Sequence, residues 1–128
     1  MPVDKNMRIL VVDDAQTMRR IIVNLLRQLG FTNMIEADDG STGWERMQAE
    51  HVDFVISDWN MPKMTGIDFL KLVRTSEKYK ATPFIMVTAE GKRENVLAAV
   101  EAGVSNYIVK PFNAATLKEK LVKVVGDF

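Results

Sequence analysis

Residues 53–62 read DFVISDWNMP, and this stretch decides the fold class. A short apolar run, too short for a helix, leads to Asp58 and then to turn-forming residues. Such a run is typical of a buried strand in a parallel sheet. In open α/β sheets, ligands bind at the carboxyl ends of the strands. Asp58 is therefore a candidate functional residue by position alone.

Four further short apolar runs predict four more strands, at residues 8–12, 33–37, 84–87 and 106–109. Asp13 and Asp14 follow the first of these runs, Thr88 follows the run at 84–87, and Lys110 follows the last. Four of the five predicted strands thus end in a polar group that can take part in chemistry.

Apolar residues recur at helical spacing between these runs. The first predicted helix carries the stripe Met18, Ile21, Ile22, Leu25, Leu26 and Leu29, with Gly30 placed to end it. The later helices have their apolar positions at Trp44 and Met47, at Ile67, Leu70 and Val73, at Leu97 and Val100 within residues 92–102, and at Leu117, Leu121 and Val124. Asn113 is placed to cap the last helix.

Strict alternation of strand and helix predicts an α/β fold with a doubly wound, five-stranded parallel sheet covered by helices on both faces. The expected strand order is 2-1-3-4-5, the flavodoxin-like three-layer arrangement. At 128 residues we expect one domain, residues 1–128, with a core from about residue 7 to 125. This order would bring Asp13, Asp14 and Asp58 into one crevice.

Composition excludes several classes of function. Lysine plus arginine and aspartate plus glutamate both number 17, so the net charge gives no reason to expect a nucleic acid or an anionic membrane as partner. The absence of cysteine excludes disulfides, thiolate metal sites and thiol catalysis. No signal-peptide pattern or membrane-length apolar stretch occurs, so we expect a cytoplasmic protein.

Three converging carboxylates predict a site for a cation. At separations of about 4–6 Å they repel one another by roughly 3–4 kcal/mol per pair at an effective dielectric constant near 20. Oxygen ligands without histidine or cysteine suit Mg²⁺, which keeps several waters. We expect Asp14 and Asp58 as ligands, Asp13 acting through water, and a backbone carbonyl near Asn60.

The other polar groups at these strand ends fit a phosphate. Lys110 would supply a mobile positive charge and Thr88 a hydroxyl donor, while a metal would offset the charge that develops in phosphoryl transfer. Asp58 is then the expected nucleophile, and because an ionised carboxylate attacks without losing a proton, no general base is required.

Five landmarks in this order and spacing resemble the receiver domain of two-component response regulators. They are Asp13 and Asp14 after the first strand, Asp58 after the third, Thr88-Ala89 after the fourth and Lys110-Pro111 after the fifth. The segments TMRRI (17–21), ISDWNMP (56–62), VTAE (87–90) and VKPF (109–112) are similar to those of the single-domain chemotaxis members, the CheY group.

The resemblance implies specific roles. Asp58 would accept a phosphoryl group from a chemotaxis histidine kinase, with Mg²⁺ held by Asp14, Asp58 and the Asn60 carbonyl. Thr88 and Tyr107 would form the switch, Asn60 and Glu90 would tune the rate of dephosphorylation, and the Lys110-Pro111 peptide would be cis. The face formed by the fourth helix, fifth strand and fifth helix would bind the flagellar motor switch protein, and a phosphatase is a further possible partner.

Three alternatives remain open. A phosphatase of the haloacid dehalogenase type also uses a strand-end aspartate and Mg²⁺, but would want a second acid where this chain has Asn60. A flavodoxin-like cofactor binder would need a glycine- and hydroxyl-rich loop in place of Asp13-Asp14. A stand-alone receiver in a phosphorelay unrelated to chemotaxis differs only in its partners.

Three other side chains have simpler interpretations. Arg19 and Arg20 form either a solvated face or a contact for acidic partners, and the sequence does not separate the two. His51, the only histidine, is expected to be exposed without a role in metal binding or phosphotransfer.

Overall fold

A computed structural model describes residues 5–89, 93–110 and 112–126 of the chain. Strands and helices alternate strictly in it. The strands are β1 (Arg8–Val12), β2 (Asn33–Ala37), β3 (Phe54–Asp58), β4 (Phe84–Ala89) and β5 (Asn106–Lys110). The helices are α1 (Gln16–Gln28), α2 (Gly40–Ala49), α3 (Gly66–Thr75), α4 (Arg93–Glu101) and α5 (Ala114–Val125).

The strands form one parallel sheet in the order β2-β1-β3-β4-β5, which confirms the predicted fold class and strand order. β1 pairs with both β2 and β3, and β4 pairs with both β3 and β5. The carboxyl ends of β1, β3, β4 and β5 therefore lie side by side along one edge of the sheet.

Alternation along the strands divides the core into two clusters, one on each face of the sheet. On one face Ile9, Val11 and Ile56 pack with residues of α1 and α5 such as Leu26 and Leu117. On the other face the strands contribute a second set, which packs with α2 and α3; it includes Leu10, Val55, Met86, Met47, Phe69 and Leu70. α4 contacts β4 and β5, and its Ala99 is fully buried.

The predicted positions of the helices along the chain were right. Some apolar residues that were predicted to be buried are exposed. Ile21, assigned to the apolar stripe of α1, is 44% exposed, because the buried positions of that helix are Ile22, Val23 and Leu26. Leu97 and Val100 of α4 are 56% and 58% exposed, and the small residue Ala99 faces the core instead. Apolar spacing alone did not tell which side of this short helix is buried.

The ends of the helices are set by specific caps. Asp39 caps α2 through its side chain, which accepts hydrogen bonds from the backbone N–H groups of Ser41 and Thr42. Thr65 and Asn113 cap α3 and α5 in the same way. Gly30 follows α1 with φ of +101°, as expected of a residue that ends a helix. Within the part of the chain that the structure describes, no helix is both long and apolar enough to cross a bilayer.

Gly66 lets the loop after β3 fold tightly against the strand end. Its backbone N–H donates to the carbonyl of Trp59 at 2.9 Å. A Cβ at this position would overlap the carbonyl oxygen of Asp58 and come within 2.8 Å of Met86 Sδ. Only glycine fits there without moving the backbone of Asp58.

We therefore expect Gly66→Ala to lower the free energy of unfolding by about 2–3 kcal/mol, because the obstacle is largely backbone and cannot rotate away. Chemical denaturation of the two proteins would measure the difference. Lys71→Ala, an exposed position on the same helix, is the control and should change stability by less than about 0.5 kcal/mol. A Gly66→Ala protein as stable as the wild type would contradict the close approach.

Candidate functional site

The strand order places the predicted site residues at one edge of the sheet. Asp13 follows β1 directly, Asp58 is the last residue of β3, Thr88 lies near the end of β4, and Lys110 is the last residue of β5. Asp58 and Lys110 thus belong to the strands that they were predicted to follow, so the sheet itself holds the backbone of both residues.

Three carboxylates form the acidic part of the site. Asp13, Asp14 and Asp58 can each offer one oxygen so that all three oxygens lie within 4.8 Å of one another. Asp13 and Asp58 are buried, whereas Asp14 is exposed. A cation could therefore approach from the solvent side, where Asp14 lies, and still reach the two buried oxygens.

Lys110 provides the positive charge of the site. Its Nζ lies 2.9 Å from Asp58 Oδ1 and 3.8 Å from Asp13 Oδ2. The shorter distance is that of a charge-assisted hydrogen bond, whereas the longer one is an ion pair without a hydrogen bond. One ammonium thus offsets part of the repulsion among three carboxylates.

Asp13 is the carboxylate with the least favourable surroundings. Its Oδ1 accepts a hydrogen bond from the Ala15 N–H at 2.9 Å, while its Oδ2 is buried without a hydrogen-bond partner among the described residues. Burial raises the pKa of Asp13 above its ordinary value, and the charges of Asp58 and Asp14 act in the same direction. The Ala15 hydrogen bond and Lys110 oppose this rise in pKa without cancelling it.

The buried, unpaired Oδ2 supports the predicted cation site. A bare carboxylate oxygen held beside two other carboxylates is a suitable ligand for a hard divalent ion or for a water molecule bound to one. Asn60 is exposed and lies in the loop after β3, two residues beyond Asp58. Its backbone carbonyl therefore follows closely, in sequence, the strand end that carries Asp58.

Thr88 is buried, and its hydroxyl has no hydrogen-bond partner among the residues that the structure describes. Met86 pairs with Tyr107 across β4 and β5, and Met86 and Tyr107 belong to the same core cluster. Because side chains alternate along a strand, Thr88 faces the same side of the sheet as Met86. Thr88 and Tyr107 are therefore on one face of the sheet.

Tyr107 is half-buried and makes a contact on the α5 side. The ammonium of Lys120 lies over its ring, 4.8 Å from the ring centroid. Asn106, the preceding residue, donates from its side chain to the carbonyl of Lys120 at 3.4 Å. The ring is thus held between the core and a cation from the last helix.

Two residues with predicted roles lie outside this description. Glu90, predicted to tune dephosphorylation, and Pro111, predicted to follow a cis peptide bond, are not among the described residues. His51 is exposed as predicted, and its imidazole lies 2.5 Å from the carboxylate of Asp53. Both residues precede the amino-terminal end of β3, the end opposite to Asp58.

Arg19 lies outside the carboxylate cluster but contacts its backbone, and sequence reasoning missed this contact. Arg19 is neither a solvated residue nor free for a partner, because its guanidinium donates to the carbonyl of Asp13 at 2.6 Å and to Glu36 Oε1 at 3.1 Å. A signal was present: Arg19 stands three, four and seven residues before the buried residues Ile22, Val23 and Leu26. A charged residue in line with a buried stripe usually has a specific partner.

Comparison with known proteins identifies the group to which this site belongs. Residues 9–122 match the family described as "Response regulator receiver domain". The chain is 59% identical to the chemotaxis protein CheY-3 of Vibrio cholerae over 94% of its length and 93% of that protein's length. It is 57% identical to the chemotaxis protein CheY of Pseudomonas aeruginosa, over 92% of this chain and 95% of that one.

Solved structures agree with the sequence comparison. The structure of the chemotaxis response regulator CheY4 of Vibrio cholerae superimposes with a TM-score of 0.82 at 36% identity, covering 91% of this chain and 96% of that one. The matched family is the one that the sequence motifs resemble. It is neither the haloacid dehalogenase type of phosphatase nor the flavodoxin-like cofactor binder that the sequence left as alternatives.

We expect Asp13→Asn to raise the melting temperature of the metal-free chain at pH 7. An amide keeps the oxygen that accepts from the Ala15 N–H but brings no charge into a site that disfavours it. The increase should be a few degrees, since 1 kcal/mol shifts the melting temperature of a domain of this size by about 3–6 °C.

The pH dependence follows from the sign of the pKa shift. Because the pKa of Asp13 is higher in the folded than in the unfolded chain, where it is near 3.8, the folded state binds more protons between these two values. Metal-free wild type should therefore lose stability as the pH rises through that interval, and Asp13→Asn should lack this loss. Thermal unfolding in a chelator across this pH range tests it, with the exposed Asp68→Asn as control. A lower melting temperature for Asp13→Asn at pH 7 would contradict this account.

Proposed function

Because the chain belongs to the response regulator receiver domain family and is of the CheY type, we propose that it is a phosphorylation-dependent switch in bacterial chemotaxis. Asp58 is the phosphoacceptor, and the donor is a phosphohistidine on a chemotaxis histidine kinase. The proposal treats residues 1–128 as one receiver domain that acts in the cytoplasm. The observation that carries it is the approach of Lys110 Nζ to Asp58 Oδ1 at 2.9 Å beside two further carboxylates.

Phosphotransfer would be a single in-line displacement. A carboxylate oxygen of Asp58 attacks the phosphorus of the phosphohistidine, the P–N bond breaks, and the imidazole leaves. The product is an acyl phosphate on Asp58, and hydrolysis of this bond later returns the carboxylate. Asn60 and Glu90 are the residues expected to tune that hydrolysis.

The remaining side chains have complementary roles. Asp14, Asp58 and the Asn60 carbonyl would hold Mg²⁺, with Asp13 acting through water; when bound, the ion would offset charge on the phosphoryl oxygens. Lys110, whose Nζ lies 2.9 Å from Asp58 Oδ1, would pair with a phosphoryl oxygen on Asp58. Thr88, whose buried hydroxyl has no hydrogen-bond partner among the described residues, could donate a hydrogen bond to another phosphoryl oxygen.

The output would be a change in binding. Phosphorylation replaces the single negative charge of the Asp58 carboxylate with a larger group that carries about −1.5 to −2 at one strand end. If the Thr88 hydroxyl turns toward this charge, space opens on the face that it shares with Tyr107. The ring can then move inward and change the surface formed by α4, β5 and α5, which we propose binds the flagellar motor switch protein. A phosphatase is a further expected partner.

We expect the chain to gain one phosphoryl group from acetyl phosphate in the presence of Mg²⁺, and Asp58→Asn to gain none. Intact mass measured under conditions that preserve acyl phosphates would detect the group. Fluorescence of Trp59, the residue after Asp58, would follow the same reaction in time. A wild-type chain that stays unmodified with Mg²⁺ present would contradict the proposed mechanism.

Lys110→Arg should still be phosphorylated but should bind the motor switch protein at least about tenfold more weakly than phosphorylated wild type. A guanidinium keeps the charge, but its planar fork cannot occupy the same point between Asp58 and Asp13. Affinity measurements on the two phosphorylated proteins test this expectation. Lys71→Arg, an exposed lysine of α3 outside the proposed binding face, is the control. Normal binding by phosphorylated Lys110→Arg would show that the ammonium does not couple the site to output.

A further inference from the structure

We propose that Arg19 is a positioning residue for the acidic site: it fixes the peptide between Asp13 and Asp14 and so places the Asp14 carboxylate for Mg²⁺. This inference rests on the proposed function, because it assumes that the three carboxylates hold the ion. It adds a residue outside the site, one that would contact neither metal nor phosphoryl group.

The contacts of Arg19 tie the loop after β1 to β2. Its Nη1 donates to the Asp13 carbonyl at 2.6 Å, and its Nε donates to Glu36 Oε1 at 3.1 Å. The side chain of Arg19 is 16% exposed and that of Glu36 45%, so the contact with the Asp13 carbonyl is the more shielded of the two. The next residue of β2, Ala37, accepts the Asp13 N–H through its carbonyl at 3.1 Å. The peptide units on both sides of Asp13 are thus held by contacts that lead to β2.

Fixing the Asp13 carbonyl fixes the direction in which Asp14 leaves the loop. The carbonyl of Asp13 and the N–H of Asp14 belong to one rigid peptide plane. Asp13 also has its own side-chain contacts, with the Ala15 N–H and Lys110. Asp14, by contrast, is exposed, and the described residues provide no hydrogen bond to its carboxylate. The position of the Asp14 carboxylate therefore depends on the backbone that Arg19 holds.

A charge effect and a positioning effect of Arg19 have opposite signs. A positive charge near the site repels Mg²⁺, so removal of the charge alone would tighten metal binding. If Arg19 instead positions Asp14, its removal loosens one ligand and weakens metal binding. Contacts that orient metal ligands are typically worth about 10–100-fold in affinity. The direction of the change therefore separates the two roles.

The test compares Mg²⁺ dissociation constants of the full chain and three variants, measured by Trp59 fluorescence and by calorimetry without phosphodonor. Arg19→Gln removes both the charge and the fork. Arg19→Lys keeps the charge but cannot bond the Asp13 carbonyl and Glu36 together. Arg20→Gln is the matched control, since it removes the same charge from the next, exposed residue of α1. Thermal unfolding in a chelator checks that each variant is folded.

We expect Arg19→Gln to weaken Mg²⁺ binding about tenfold and Arg19→Lys about threefold, with Arg20→Gln unchanged or slightly tighter. Unchanged or tighter binding by Arg19→Gln, or an equal loss in Arg20→Gln, would overturn the inference. If Arg19→Gln does not fold, Arg19→Lys decides, because a pure charge effect predicts no change for it. A wild-type chain that does not bind Mg²⁺ would instead overturn the proposed function.

Discussion

The repulsion among Asp13, Asp14 and Asp58 is the constraint on which the rest of the site depends. Their oxygens lie within 4.8 Å of one another, and separations of this order cost roughly 3–4 kcal/mol per charged pair. Lys110 offsets part of this cost from β5, which is separated from β3 by β4. The site therefore favours a bound cation, and a change of charge at Asp58 would alter the electrostatic energy of every group that contacts these carboxylates.

The fold keeps this unfavourable arrangement in place because the strands that carry it are buried on both faces. The side chains of β3 are buried along its whole length, and it pairs with both β1 and β4. Two supports act from outside the sheet: Gly66 lets the loop after β3 close against Asp58, and Arg19 holds the backbone of the loop after β1. Relaxation by movement of the carboxylates would require these packed elements to move.

Strands and site residues could be predicted from sequence because both depend on local patterns. Short apolar runs that end in Asp13, Asp58, Thr88 and Lys110 fix the edge of a parallel sheet, and parallel order brings the strand ends together. The position of Arg19 in line with the buried residues of α1 indicated a specific partner. The identity of its partners could not be predicted, since they are a backbone carbonyl and a glutamate seventeen residues away. The buried side of α4 was also not predicted. The residue that this helix buries is Ala99, and an alanine contributes little to an apolar pattern.

Strand alternation also explains how one charged group can affect both faces of the sheet. Asp58 and Lys110 alternate in phase with Ile56 and Ile108, which pack toward α1 and α5. Thr88 alternates in phase with Met86, which packs on the opposite face with Tyr107. The two sets of side chains meet only where the strands end. A phosphoryl group on Asp58 would occupy that meeting point, with Lys110 on one face and the buried Thr88 hydroxyl on the other. A charge placed there can therefore act on the packing around Tyr107, although the carboxylate itself belongs to the other face.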